Sequence, residues 1–439
     1  MKGAGYDPPM AFVMTHESDP QRIVKSTSII ALTITRSLGR HGVPVVRIHP
    51  NRMDRSLTSK YCRHVEFSPD FYESEQDVLD FLIGMRQRYA GPAILIPASD
   101  DCAYFISKHH AVLSKSFAVM AAPWDVMRDL VDKQRQYAYA QSLGIPIPET
   151  YFPSGIAEVT QLAHVLPNYP YVIKPRVAHA WRRAAMNRVS QGKKGFAVHT
   201  PQELINKYRA IASGDQNVMV QEVIGGADDR LFTFLSYFNA QSTPLAYCVR
   251  KKIRQLPVDF GYCTLTVSCF DQAVTDQSLR LLQRLGFHGM SGVEWKLDPR
   301  TGQYKLIEIN GRAVNTIGIG AACGVDLPYM AFRDMAGFTD TPVTTWEEGA
   351  RWINIADDVW AARTLHQRDA LSLHDWWHSI TGPGRKVDAV YAADDVRPFV
   401  GYFLERFKAL FVLFVRRSLR GGGCMGALAA PMKNPLAAK

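Results

Sequence analysis

The stretch GVEWKLDPRTGQYKLIEINGR, Gly292 to Arg312, decides the fold. Two runs, Val293-EWKLD and Tyr304-KLIEIN, flank a Pro-Arg-Thr-Gly segment whose residues favour a turn, so the whole reads as a β-hairpin. Side chains alternate along a strand, which sets Glu308 and Asn310 on one face, one pleat apart. Glu294 joins them if it lies opposite Glu308, and counting inward from that pair sets Asp298 against Tyr304 with an odd-numbered connection. Two carboxylates and an amide carbonyl on one surface repel unless cations sit between them, and all-oxygen ligation suits Mg²⁺ held jointly with phosphates. Spacing alone leaves a second reading open, a surface ribbon with alternating polar residues.

Upstream of the hairpin, strands dominate: Asn217-VMVQEVI, Leu231-FTFLSYFN, Pro244-LAYCVRKK and Tyr262-CTLTVSC, followed by a helix over 275–285. Before them, Asp129-LVDKQRQYAYAQSLGIP reads as one amphipathic helix stopped by Gly144 and Pro146, with Lys133 near its start. Lys174 ends the apolar strand Tyr171-VIKP, where an unpartnered ammonium would be costly. The basic loop Trp181-RRAAMNRVSQGKKGF, with Gly192 and Gly195, offers donors suited to a polyphosphate or is simply a solvated surface loop. Thr200, with Pro201 next and Glu203 three residues on, opens a further helix as a capping box.

The first 123 residues read as a parallel sheet flanked by helices. Ala11-FVMT and Val43-PVVRI are strands around a helix over 27–40, and a helix near 76–88, the strand Ala93-ILIPA and a helix after Asp100-Asp101 follow. The loop after the first strand, His16-ESDPQRIVKSTS, lacks the glycines of a dinucleotide fingerprint, which argues against a nucleotide there.

With 439 residues, 47% apolar and 21% charged, the chain is of ordinary globular composition and long enough for two or three domains. The net charge of +10 is unevenly spread: eight Lys or Arg and one Glu lie between Arg397 and Lys439, leaving an excess of three for the rest. That distribution speaks against a basic nucleic-acid-binding stripe. Seven cysteines without a CxxC pair disfavour zinc and a disulfide framework, and the expectation is a reducing, cytoplasmic setting. The N-terminus carries no apolar run of signal-peptide length. The thirteen histidines, His109-His110 among them, fall in no HExxH-like spacing and read as surface or packing residues.

The order Lys133, Lys174, glycine-bearing loop, Gln221-Glu222-Val-Ile-Gly-Gly, Asp229, Glu294, Glu308-x-Asn310, Arg312 resembles the ATP-grasp superfamily. The resemblance covers roughly residues 10–335. It is nearest to predicted carboxylate–amine ligases of the D-aspartate ligase-like branch, through Arg36-SLGRHGVPV, Tyr171-VIKP, Val220-QEVIGG, Lys252-IRQLP and Leu306-IEINGR.

The resemblance implies an α/β and α+β architecture in four parts. These are an N-terminal parallel-sheet domain (1–123), a small ATP-grasp lobe (124–215), a larger antiparallel-sheet lobe with the Mg/ATP site (216–335) and a helical C-terminal extension (336–439). It implies ATP and Mg²⁺ as cofactors, with two ions expected and Mn²⁺ as an alternative. Lys133 and Lys174 would contact ATP phosphates from a cleft between lobes, with Lys194 adding a charged contact. Glu222, Val223 and Ile224 would meet the adenine and Asp229 the ribose. Glu294, Glu308 and Asn310 would be the metal ligands, while Arg312, Lys252 and Arg254 would face the transferring phosphoryl group or the acyl substrate. Two positions depart from the usual pattern: the phosphate loop is poor in glycine, and Gly-Arg-Ala-Val-Asn follows Asn310 where Pro-Arg is commoner.

The reaction implied is ligation of a small carboxylic acid to an amine through an acyl phosphate. An ATP-grasp kinase, a thiol ligase, or a non-catalytic nucleotide-binding module at a membrane are the alternatives. Beyond the motifs, Thr345–Trp377 is rich in tryptophan and reads as a packed flank or lid. Pro398-FVGYFLERFKALFVLFVRRSLR is a helix too interrupted by charge to span a membrane. Through Phe403, Phe407, Leu410 and Phe414 it would dock on the protein or on a second subunit, or else, ending in Arg416, Arg417 and Arg420, lie on an anionic membrane surface.

Overall fold

The computed structural model describes residues 8–16, 28–177, 180–181, 186, 189–190, 193–258, 261–406 and 408. The chain forms two compact units. One is built from residues up to 17, 27–147 and 224–399, the other around residues 148–223.

The first unit opens with a parallel sheet of β1 (Met10–Met14), β2 (Val45–Ile48), β3 (Cys62–Glu66), β4 (Ala93–Pro97) and β5 (Ala118–Val119), ordered β3-β2-β1-β4-β5. The central strands are almost wholly buried, as expected where helices cover both faces, and apart from Arg47 of β2, which donates to Ser56, they are apolar. Phe12, Leu95, Leu82 and Phe105 meet in one cluster. The helices over Glu75–Arg86 and Asp100–Lys108 start where Ser74 and Ser99 cap them, each hydroxyl accepting from a first-turn N–H. The two edge strands, β3 and β5, are not legible in the sequence: one is half-exposed and polar, the other two residues long.

The second unit holds β6 (Thr150–Tyr151), β7 (Tyr171–Pro175), β8 (Phe196–Val198) and β9 (Val218–Glu222), ordered β6-β9-β7-β8 and antiparallel. Helices Ile156–Val165 and Pro201–Ala212 close its core of Val159, Leu162, Ile173, Leu204 and Val220. Thr200 accepts from the Glu203 N–H as the sequence predicts. The returning Glu203 carboxylate accepts from the N–H of His199 instead of that of Thr200.

The remaining strands of the first unit are β10 (Leu231–Phe238), β11 (Pro244–Leu256), β12 (Tyr262–Ser268), β13 (Gly289–Leu297), β14 (Tyr304–Asn310), β15 (Arg351–Ile353) and β16 (Lys386–Asp388). They form a sheet ordered β14-β13-β10-β11-β12-β15-β16, antiparallel except between its last two strands. One face carries Phe234, Val249, Val293, Trp295, Leu306 and Ile309 into a core shared with Leu281, Leu282 and Phe287. Trp295 and Leu306 are fully buried there, each worth about 1.5–3 kcal/mol.

Three expectations change. The segment from Asp129 is two helices, Trp124–Val131 and Lys133–Ser142, because Asp132 turns extended and its carboxylate caps Gln134 and Arg135. The C-terminal extension is not purely helical, since β15 and β16 lengthen the large sheet. The hairpin register also differs: Leu297, not Asp298, faces Tyr304, and the connection has an even number of residues.

Three of the five tryptophans of the extension are packing or hydrogen-bonded residues, whereas Trp377 is exposed. Trp352 is buried on β15, Trp346 donates to the Cys269 carbonyl and Trp376 to Asp358. Among the described residues no helix is long and apolar enough to cross a membrane. Gly192, most of the 17–27 loop reading, Phe407, Leu410, Phe414, Arg416, Arg417 and Arg420 lie outside the described residues.

Candidate active site

The hairpin β13–β14 pairs Glu294 directly with Glu308, and Gly292 with Asn310. That outcome depends on a β-bulge. Trp295 faces Leu306, so Ile307 is the extra residue on β14 before Glu308 faces Glu294. Strict alternation from Tyr304 would have put Leu306 on the same face as Glu308. With the bulge, Leu306 and Ile309 both enter the core while Glu308 and Asn310 stay on the opposite, partly exposed face.

β14 is an edge strand, and the helix Lys133–Ser142 covers that edge. Gln136 acts as a false neighbouring strand: its Oε1 accepts from the Ile309 N–H at 3.3 Å and its Nε2 donates to the Ile309 carbonyl at 3.2 Å. The Tyr137 hydroxyl donates to the carbonyl of the bulged Ile307 at 2.7 Å. Lys133, one turn earlier, donates to Glu308 at 2.6 Å. Asp132 capping and the edge-strand clamp together bring Lys133 onto the hairpin across 175 residues of sequence.

Register carries the site across the sheet. Glu308 faces Glu294, Glu294 faces Thr233 on β10, and Thr233 faces Arg250 on β11, so these four share one row and one face. Asn310 Nδ2 donates to the Gly292 carbonyl at 3.4 Å, leaving Oδ1 as the atom it can offer a cation. A Cβ on Gly292 would come within 2.7 Å of Val314, so glycine lets the 313–317 segment lie over the pleat beside Asn310.

The predicted basic residues differ in availability. Arg312 donates to Asp100 at 2.7 Å and to the Ala313 carbonyl at 2.9 Å, tying the end of β14 to the first turn of the helix after β4. Among the described residues Lys252 donates to the neutral Gln255 at 3.3 Å, and Gln255 in turn donates to Asp228 at 2.7 Å. Arg254 is held by Asp358 through three hydrogen bonds of 2.9–3.2 Å. β11 shifts register on either side of Arg254, so the regular alternation relating Lys252 to Arg254 is broken.

Asp229 lies exposed in the turn Asp228–Arg230. Close by, Lys296 donates to the Gly226 carbonyl at 3.0 Å, and burial lowers its pKa against the pull of Asp228.

In the second unit, Lys174 donates to Gln221 on the neighbouring β9 at 3.2 Å. The Glu222 carboxylate accepts from the Glu149 N–H at 2.9 Å, and the Val223 N–H donates to the Pro170 carbonyl. Lys194 is exposed beside Gly195. Ile224 is buried and belongs to the first unit, so the chain passes from one unit to the other between 223 and 224.

Among the described residues no group of three or more His, Cys, Asp or Glu gathers as a metal cluster. The donor set at the hairpin is two carboxylates and one amide. Its chemistry fits a hard divalent cation that completes its shell with phosphate and water oxygens. Of the two opposed carboxylates, Glu308 is paired with the Lys133 ammonium.

Gln136, Asp100, Gln255 and Lys296 are the groups that sequence reasoning missed. Only Asp100 had a local signal, its place behind the Ser99 cap.

Residues 247–357 match a family model described as ATP-grasp in the biosynthetic pathway with Ter operon. The D-aspartate ligase of Enterococcus faecium is 23% identical over 270 residues, 59% of this chain and 63% of that protein, so the match spans less than two thirds of the relative. The ADP complex of the N5-carboxyaminoimidazole ribonucleotide synthetase purK is similar in structure, with TM-score 0.60 at 11% identity, over 82% of this chain and 85% of that one. The L-amino acid ligase from Bacillus licheniformis gives 0.56 at 14% identity, over 76% and 75%. The chain has the fold of these ATP-grasp structures, and its sequence is similar to an ATP-grasp family model over residues 247–357 and to a D-aspartate ligase over 270 residues.

Proposed function

We propose that the chain is an ATP- and Mg²⁺-dependent ligase that joins a carboxylic acid to an amine through an acyl phosphate. The observation that carries this reading is Glu294 opposed to Glu308 with Asn310 one pleat on and Lys133 on the Glu308 carboxylate. Glu294, Glu308 and Asn310 would hold Mg²⁺, which neutralises phosphate oxygens when bound. Lys133, already shared with Glu308, and Lys174 would contact the phosphates. Lys194 would add a charged contact to them, Glu222, Val223 and Ile224 would frame the adenine, and Asp229 would take the ribose hydroxyls.

A carboxylate is a poor acyl donor. Its oxygen attacks the γ-phosphorus of ATP as the β,γ-bridging bond breaks, giving an acyl phosphate and ADP. An amine then attacks the acyl carbon, loses a proton, and phosphate departs with the broken C–O bond. Arg312, which donates to Asp100, would stabilise the oxyanion of that second step, and closeness of the two substrates would do the rest.

The test is an ADP-release screen of purified protein with Mg·ATP against pooled carboxylic acids and then amines, with hydroxylamine as a trap. Hydroxamate formed without an added amine supports a ligase over a kinase. Glu308→Gln abolishes Mg·ATP-dependent ADP release while circular dichroism is unchanged; undiminished turnover would refute the metal assignment.

A further inference from the structure

We propose that Arg250, which none of the motifs singles out, is an oxyanion-binding residue on the active face of the large sheet, acting beside Lys252. The proposal deepens the ligase reading and rests on it for the identity of the reaction.

Arg250 stands in the row Arg250–Thr233–Glu294–Glu308, with the small Thr233 between it and the first carboxylate. Two strand spacings separate Arg250 from Glu294, about 10 Å. Arg250 is only 3% exposed. Its Nη1 makes two long contacts, 3.5 Å to the Cys263 thiol and 3.4 Å to the Thr266 hydroxyl, and its Nε has no hydrogen-bond partner among the described residues. Neither contact supplies a counter-charge, since burial pushes the Cys263 thiol up and keeps it neutral.

Lys252, two residues on and 7% exposed, likewise has a neutral partner in Gln255. Arg254 differs from both: Asp358 fully compensates it. Two of the four cations of β11, Arg250 and Lys252, are thus buried on the face that carries Glu294 and Glu308 and, among the described residues, lack an acidic partner. A buried guanidinium in this state is unfavourable until an anion arrives, and a low-dielectric setting strengthens the contact when it does.

The anion chemistry that fits is a carboxylate or a phosphoryl group. With cation-binding carboxylates at one end of the row and Arg250 at the other, either the acid substrate or the transferred phosphate would complete it.

The test uses the full chain. Thermal unfolding of wild type, Arg250→Gln and Arg250→Lys is followed against increasing acetate or inorganic phosphate at constant ionic strength, and Mg·ATP affinity is measured in parallel. The expected result is a rise in melting temperature of the wild type with at least one of the two anions. The midpoint is weakened about tenfold or more in Arg250→Gln and partly restored in Arg250→Lys. The responding anion identifies the source, acid substrate or phosphate. Without anion, Arg250→Gln melts no lower than wild type, because removing an uncompensated buried charge costs nothing.

An anion response equal in Arg250→Gln and wild type, no response in the wild type, or an anion-free Arg250→Gln that melts well below it would each overturn the assignment. Failure of the ligase reading shows separately, as absence of Mg-dependent ATP binding in the wild type.

Discussion

Arg254 and Asp358 are almost completely excluded from water, and the carboxylate also accepts from Thr264 at 2.8 Å and Trp376 at 2.9 Å. A pair of this kind contributes little net stability while intact, because both ions were desolvated to form it. Losing one partner is a different matter. Asp358→Ala should therefore destabilise the protein by about 3–5 kcal/mol, read as a lower urea midpoint with unchanged slope. The basic character of β11 is legible in Lys252-IRQLP. Which of its cations is neutralised is not, because the acid that decides it lies 104 residues further along.

At the scale of elements, the hairpin works because a one-residue bulge at Ile307 and a clamp from Gln136 act together. Gln136→Ala removes both hydrogen bonds to the Ile309 backbone and leaves buried edge-strand groups unsatisfied, at about 1–3 kcal/mol. It should lower turnover more than ATP affinity, since it loosens the strand bearing Glu308 and Asn310. Steady-state kinetics beside a denaturation curve separate the two effects.

The connection carries its own acid sensitivity. Asp298 is fully buried and is held well below the usual carboxylate range, first by hydrogen bonds from the Arg300 guanidinium, against the opposing effect of burial, with further help from Lys305. Because the folded pKa lies below the unfolded value, this stabilisation is complete above about pH 4 and is lost as pH falls through the folded pKa. Unfolding followed from pH 6 down to pH 3 should steepen for wild type and be flatter for Asp298→Asn, which starts less stable.

For the molecule as a whole, the first unit is closed by its last described residues. Asp395 accepts from Arg36 at 2.9 Å, Ser59 at 2.7 Å and the Lys60 N–H at 2.9 Å, and Asp394 pairs with Arg40 and Tyr61. The motif Arg36-SLGR, read from the sequence only as part of a resemblance, thus anchors a segment over 350 residues away. Asp395→Ala leaves Arg36 buried and unpaired and should cost about 3–5 kcal/mol. Asp394→Ala, whose pair is about 40% exposed, should cost under about 1 kcal/mol. Melting temperatures of the two variants side by side test that difference.

What the amino-acid order alone determined was local. The apolar central strands, the serine and threonine caps, the hairpin bearing Glu294, Glu308 and Asn310, and the lysines at 133 and 174 follow from alternation, helical period and turn chemistry acting over a few residues. Tertiary structure alone decided the parity of β14, the break at Asp132 that seats Lys133, the added strands β15 and β16, and the division of the β11 cations into compensated and uncompensated. Each of these depends on partners distant in sequence. A bulge or a buried charge is stabilised by what packs against it, and that has no signature in the neighbouring residues.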